Sequence, residues 1–266
     1  MKDNLRIALT FSGGGYRAAT FHLGALSYLH SVKVGEFTLL DHVVALSTIS
    51  GGTITGLRYM LGLSRGESVT DIFKELYTFL TDVELATVAM NNLAFYDKGQ
   101  CASLIRTMAD IYNKELFKGA VLGDLMDQLD DIHICHFAAN ATDFTNGLAF
   151  RFQVTEKTGV RQEQATGYGL IGNNKIRIPR EVARHIRLSE VLACSSCFPS
   201  GFEPLVFPKD FVLGDSEEVK KFIAKTEPFG IMDGGIVDNQ GIEPILLAEQ
   251  RMETSLGCKD GKCLGL

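Results

Sequence analysis

The sequence predicts an α/β domain with a mainly parallel central sheet. Three observations carry this. Short β-branched and apolar runs alternate with segments of helical spacing. Two of those runs end in glycine turns that lead straight into a helix, the strand–turn–helix order of a parallel crossover. The chain of 266 residues is 45% hydrophobic, enough for one large core and too apolar for disorder.

The elements follow in order. Residues 6–11 form a short buried run that ends at a glycine cluster and reads as a strand. Residues 18–32 place Phe21, Leu23, Ala25, Leu26 and Leu29 at helical spacing. Residues 42–48 are a second apolar run ending in Ser-Gly-Gly, and 53–63 read as the helix after it. Residues 69–80 and 102–112 are helical, while 83–96, mixed and rich in Ala, Asn, Met and Phe, resist assignment. Residues 133–139 are another buried strand, with 149–154 as its partner or an edge. Residues 156–177 are polar and rich in Gly and Asn, the composition of a surface excursion. A short helix over 188–194, a strand over 229–232 and a helix over 242–252 complete the domain, and a frayed tail follows from Leu256.

Charge and composition narrow the partners. A net charge of −6 argues against nucleic acid, whose phosphates need clustered Lys and Arg. No apolar run reaches the roughly 18 residues that span a bilayer, so no transmembrane segment is expected. The apolar stretch 7–11 is too short for a signal-peptide core, which gives a cytoplasmic location as the default. The six cysteines read as reduced thiols; Cys194-Ser-Ser-Cys197 is the sole Cys-x-x-Cys, and no second pair completes a zinc site.

Three constellations can carry chemistry. Ser12-Gly13-Gly14-Gly15-Tyr16-Arg17 joins the first strand to its helix, and its backbone N–H groups can face a phosphate or an oxyanion. It lacks the Gly-Lys-Ser/Thr of a P-loop and the spacing of the dinucleotide fingerprint, which favours the oxyanion; a plain tight turn is the alternative. Thr48-Ile49-Ser50-Gly51-Gly52 fits a nucleophile elbow, with Gly52 in the second glycine position and Thr48 in place of the first. The alternative is Ser50 as a helix N-cap. Asp233-Gly234-Gly235 places an acid at a strand end, with an Asp turn as the alternative. Asp238 competes with Asp233, but its Asp-Asn-Gln-Gly context reads as an exposed turn.

No histidine follows Asp233, and His133, His136 and His185 stand in no recognisable catalytic setting; a Ser-His-Asp triad using Asp131 or Asp143 is the alternative, which no spacing recommends. A Ser-Asp dyad uses what is present. A free Asp, with a pKa of about 3.9, is a poor match for serine unless burial raises it.

In this order the glycine loop with Arg17, Ser50-Gly51-Gly52 and Asp233-Gly234-Gly235 resemble the patatin-like phospholipases. Ala141-Thr142-Asp143 with Asn146-Gly147, and the stretch from Ala193 through Pro199 to Pro204, resemble two further segments of that family. The resemblance covers roughly residues 6–250. It implies a three-layer α/β/α fold and a single catalytic domain over 1–266, shortened at its C-terminal end. It implies Ser50 as nucleophile, Asp233 as base, and Gly13, Gly14 and Gly15 as the oxyanion hole. Gly52, Gly234, Gly235 and Arg17 would support them. Arg17 is read as holding the loop, with a lipid-phosphate contact as the alternative. The implied activity is acyl-ester hydrolysis of phospholipids or neutral lipids with no metal or organic cofactor. The contact with membrane would be peripheral, and Met90, Phe95 and Tyr96 are candidates for a lipid-facing flap, with an ordinary place in the core as the alternative. A serine acyltransferase and an inactive lipid- or acyl-binding module are the competing readings.

Overall fold

The computed structural model describes residues 5–83, 85, 87, 103–155, 171–211 and 213–256, the last six of these for their backbone alone. The unassigned segment 83–96 with its proposed flap, most of the excursion 156–177, the tail beyond Leu256, and Cys101, Cys258 and Cys263 lie largely or wholly outside these residues.

The first unit is strand β1 (Ile7–Phe11) followed by helix α1 (Gly15–Ser31). The helix begins three residues earlier than its apolar spacing suggests, because the glycine loop itself forms its first turn. A small hairpin follows, β2 (Lys33–Val34) and β3 (Phe37–Thr38). Strand β4 (Val43–Ile49) then leads into α2 (Gly51–Ser64), and α3 (Val69–Asp82) starts from Ser68, whose hydroxyl accepts the Asp71 N–H. Next come α4 (Leu104–Tyr112), a π-turn over Asn113–Phe117 and α5 (Leu122–Gln128).

Strand β5 (His136–Asp143) is buried along its whole length and forms a hairpin with β6 (Leu148–Thr155). Ala141-Thr142-Asp143 thus ends the central strand itself. The end of the expected surface excursion instead extends the sheet, as β7 (Ile171–Gly172) and β8 (Arg177–Ile178). A four-residue helix α6 (Arg180–Ala183) and α7 (Leu188–Ser195) precede β9 (Leu205–Phe207), α8 (Glu217–Lys225), β10 (Phe229–Asp233) and α9 (Ile242–Leu256).

The sheet is mixed around a parallel core. Strands β1, β4 and β5 run parallel; β6, β7, β8, β9 and β10 join by antiparallel pairing. Successive side chains of a strand face opposite sides. On β4, Leu46 and Thr48 meet Gly56 of α2, whereas Ser47 and Ile49 meet Gly241 at the entry to α9. Helices therefore cover both faces, giving the three-layer α/β/α arrangement, and β4 and β5 are correspondingly apolar on both sides.

One topological detail builds the site. Strand β6 occupies one edge of β5 from end to end. The other edge is shared. Strand β4 covers it as far as Ile49 opposite Asn140, and β10 arrives from the opposite direction and ends with Asp233 opposite Ala141. The C-terminal ends of β4 and β10 thus abut, and Ser50 and Asp233 are the residues at the junction.

Candidate active site

Ser50 sits at the turn between β4 and α2 with φ 50° and ψ −120°, a conformation that costs a non-glycine residue about 1–3 kcal/mol. It occupies the N-cap position of α2, yet its side chain makes no capping hydrogen bond, so the hydroxyl is left for other work. Gly51 is required by close approach: a Cβ there would overlap the Gly15 carbonyl of the glycine loop. A Cβ on Gly52 would likewise overlap the Phe11 carbonyl at the end of β1. The elbow is therefore pressed against the loop.

Thr48, in the place where an elbow expects glycine, is accommodated by α2. Its methyl packs where a Cβ on Gly56 would otherwise stand. Its hydroxyl accepts from Thr53 Oγ1 (3.1 Å) and donates to the Ala138 carbonyl (3.3 Å).

Asp233 ends β10 and is 5% exposed. Its N–H donates to the Cys197 carbonyl (3.0 Å), and its own carbonyl accepts from Thr142 Oγ1 (2.8 Å). Oδ1 accepts the Gly235 N–H (2.7 Å), so the Asp turn expected as an alternative does form and orients the carboxyl group. Burial raises the Asp233 pKa, while the Gly235 N–H and hydrogen bonding from the Ser50 side chain partly offset that rise. Gly234 packs on the Asn140 carbonyl with no room for a side chain. Asp238 instead caps its own turn, accepting the N–H groups of Gln240 (2.9 Å) and Gly241 (3.0 Å).

The glycine loop lies beside both residues. Gly14 and Gly15 have φ of 148° and 61° and line a cavity with Gly13, Ser50 and Asp233. The Gly13 N–H donates to the Asn239 carbonyl (3.1 Å), which removes it from the three expected oxyanion donors. Gly14 and Gly15 N–H have no partner among the described residues. Arg17 is exposed on the cavity wall, with no hydrogen bond or ion pair to another described residue.

The cavity has a volume of about 800 Å³. Beyond Ser50 its wall is apolar, from Ile54, Leu85, Leu104, Met108, Tyr112 and Phe202. Its rim includes Phe198 and Ile236, which are 61% and 42% exposed.

The histidines lie elsewhere. His133 Nε2 is 3.5 Å from Tyr59 Oη, His136 Nδ1 is 2.8 Å from Thr155 Oγ1, and His185 packs on Gly214; none lines the cavity. Cys194 and Cys197 are free and buried, and burial raises both thiol pKa values, that of Cys197 to about 12. No cluster of three or more His, Cys, Asp or Glu able to hold a metal ion occurs among the described residues, and none of their helices is long and apolar enough to cross a membrane.

Sequence reasoning missed three contributors. Ser195, at the end of α7, accepts the Ser50 N–H (2.9 Å) and donates to the Asn140 carbonyl (2.7 Å). Asn239 reaches the loop from the turn after Asp233. His22 supports the loop from beneath, with Nε2 3.1 Å from the Ser12 carbonyl. Helical spacing does place His22 on the buried face of α1 with Ala19, Leu23 and Leu26, which was the available signal.

The family model described as Patatin-like phospholipase matches residues 9–246. Among solved structures the chain is similar to VipD from Legionella pneumophila, at 14% identity and a TM-score of 0.46, over 89% of this chain and 47% of that one. The chain thus spans about half the length of that structure's chain. No curated protein matches it.

Proposed function

The chain belongs to the patatin-like phospholipase family, and from that premise we propose that it is a serine lipid acyl hydrolase working through a Ser50–Asp233 dyad. The observation that carries the reading is the abutment of β4 and β10 along β5, which sets a strained serine against a buried carboxylate at the mouth of an apolar cavity. Asp233 accepts the Ser50 proton as the hydroxyl oxygen attacks the ester carbonyl, and its raised pKa makes that transfer less unfavourable than to an ordinary aspartate. The Gly14 and Gly15 N–H groups stabilise the oxyanion of the tetrahedral intermediate. The alcohol leaves with the proton returned from Asp233, and water then releases the acid from Ser50 by the same route. No metal or organic cofactor takes part.

The acyl chain lies against Ile54, Leu104 and Met108. Arg17, exposed on the cavity wall and without a partner among the described residues, is free to meet a substrate phosphate. Phe198 and Ile236 on the rim make the peripheral contact with the lipid surface. Residues 1–266 act as one catalytic domain, and a cytoplasmic setting is part of the same reading. Hydrolysis of a soluble p-nitrophenyl ester by the wild-type chain and its loss in Ser50→Ala test the proposal. Full turnover by a folded Ser50→Ala variant would end it. An acyltransferase would instead transfer to an added alcohol faster than to water.

A further inference from the structure

The glycine loop is held at its base by one peptide group. The Ser12 carbonyl lies 3.1 Å from His22 Nε2, and the Gly13 N–H of that same peptide donates to the Asn239 carbonyl at 3.1 Å. A peptide unit is planar, so bonds on both of its polar atoms fix the rotation of the whole plane. That plane precedes Gly14 and Gly15, whose permissive backbones would otherwise sample many orientations. His22 is itself fixed: it is 5% exposed and its ring stacks on Phe11, with centroids 4.4 Å apart and planes 11° from parallel.

A carbonyl can only accept, so Nε2 must carry the hydrogen. Burial lowers the His22 pKa, which keeps the ring neutral at neutral pH. The ring faces Phe11, Phe21 and the Ser12 carbonyl, and it does not line the cavity. It therefore touches the loop without touching substrate.

We propose that His22 is a positioning residue: by holding the Ser12 carbonyl it sets the peptide plane from which Gly14 and Gly15 present their N–H groups to the developing oxyanion. This rests on the hydrolase reading above. A donor set that is misplaced weakens transition-state binding more than ground-state binding, so the effect falls on kcat.

The test compares His22→Phe, which keeps the ring on Phe11 and removes the donor, with His22→Gln, which restores a side-chain N–H. On a soluble ester His22→Phe should lose about tenfold to a hundredfold in kcat, the scale of a small misplacement. KM should stay close to wild type, the variant should stay folded at the assay temperature even though the Ser12 carbonyl loses its partner, and His22→Gln should recover most of the kcat loss. Wild-type kcat in folded His22→Phe overturns the proposal, as does a His22→Gln variant no better than His22→Phe. Nitrogen-15 NMR of the unmodified chain gives a measurement independent of variant folding. At neutral pH the His22 ring should be neutral with its hydrogen on Nε2, and a hydrogen on Nδ1 overturns the proposal. The two levels separate cleanly. If the wild-type chain neither hydrolyses esters nor takes a fluorophosphonate on Ser50, the hydrolase reading falls and takes this one with it. If Ser50 is labelled and His22→Phe keeps full kcat, only the positioning role falls.

Discussion

Ser195 Oγ accepts the main-chain N–H of Ser50 at 2.9 Å, across 145 residues of sequence. The same hydroxyl lies 2.8 Å from Thr53 Oγ1 and donates to the Asn140 carbonyl at 2.7 Å. One fully buried oxygen therefore joins the strained elbow, the first turn of α2 and the point on β5 where β4 gives way to β10.

Ser195→Ala should loosen that joint. Each buried polar group left without a partner costs about 1–3 kcal/mol. The denaturation midpoint in urea should fall accordingly, and kcat on a soluble ester should drop with it, because Ser50 loses the bond that holds its backbone turn. Unchanged stability and turnover would show that the elbow is held by strand and helix alone.

Asp233 makes a prediction about pH. Its folded-state pKa is raised from the ordinary aspartate value, chiefly by burial. The folded chain thus binds that proton more tightly than the unfolded chain. The resulting stability is present at low pH and is lost as pH rises through the raised pKa. Asp233→Asn removes this loss, so at neutral pH the variant should melt higher than wild type while ester hydrolysis collapses. Melting curves across the acid-to-neutral range check it; a variant less stable at neutral pH would contradict the burial argument.

The parts of the site that were legible in the sequence are those with local signals. An apolar run ending in Ser50-Gly51-Gly52, and another ending in Asp233-Gly234-Gly235, mark strand ends at which close backbone approach needs glycine. What brings the two together is non-local. Strand β10 pairs antiparallel with the last three residues of β5, and no pattern near Phe229 announces its direction or partner. Thr48 departs from the glycine an elbow expects, and the gap that accommodates its methyl, at Gly56, belongs to a different element. Asn239 stood in a turn that read as solvent-exposed, and its contribution comes from a main-chain carbonyl that residue identity does not reveal.

The apolar wall from Ile54, Leu104 and Met108 predicts a dependence on acyl chain length. Burying a methylene is worth about 0.8 kcal/mol, or about fourfold in kcat/KM for each carbon added while the cavity fills. A series of p-nitrophenyl esters should show that rise and then a plateau, and Leu104→Trp should move the plateau to shorter chains. A flat profile would place the acyl chain outside the cavity.

The account's central claim is that Asp233 activates Ser50 with no histidine. It is tested most directly by the rate and position of fluorophosphonate labelling. Wild-type chain should carry one adduct, on the peptide containing Ser50. Asp233→Asn should label slower by about 10²–10⁴, the contribution of a positioned general base. Gln at His133, His136 or His185 should label at close to the wild-type rate. An adduct on another residue, an Asp233→Asn variant that labels as fast as wild type, or a histidine variant as slow as Asp233→Asn would contradict the dyad.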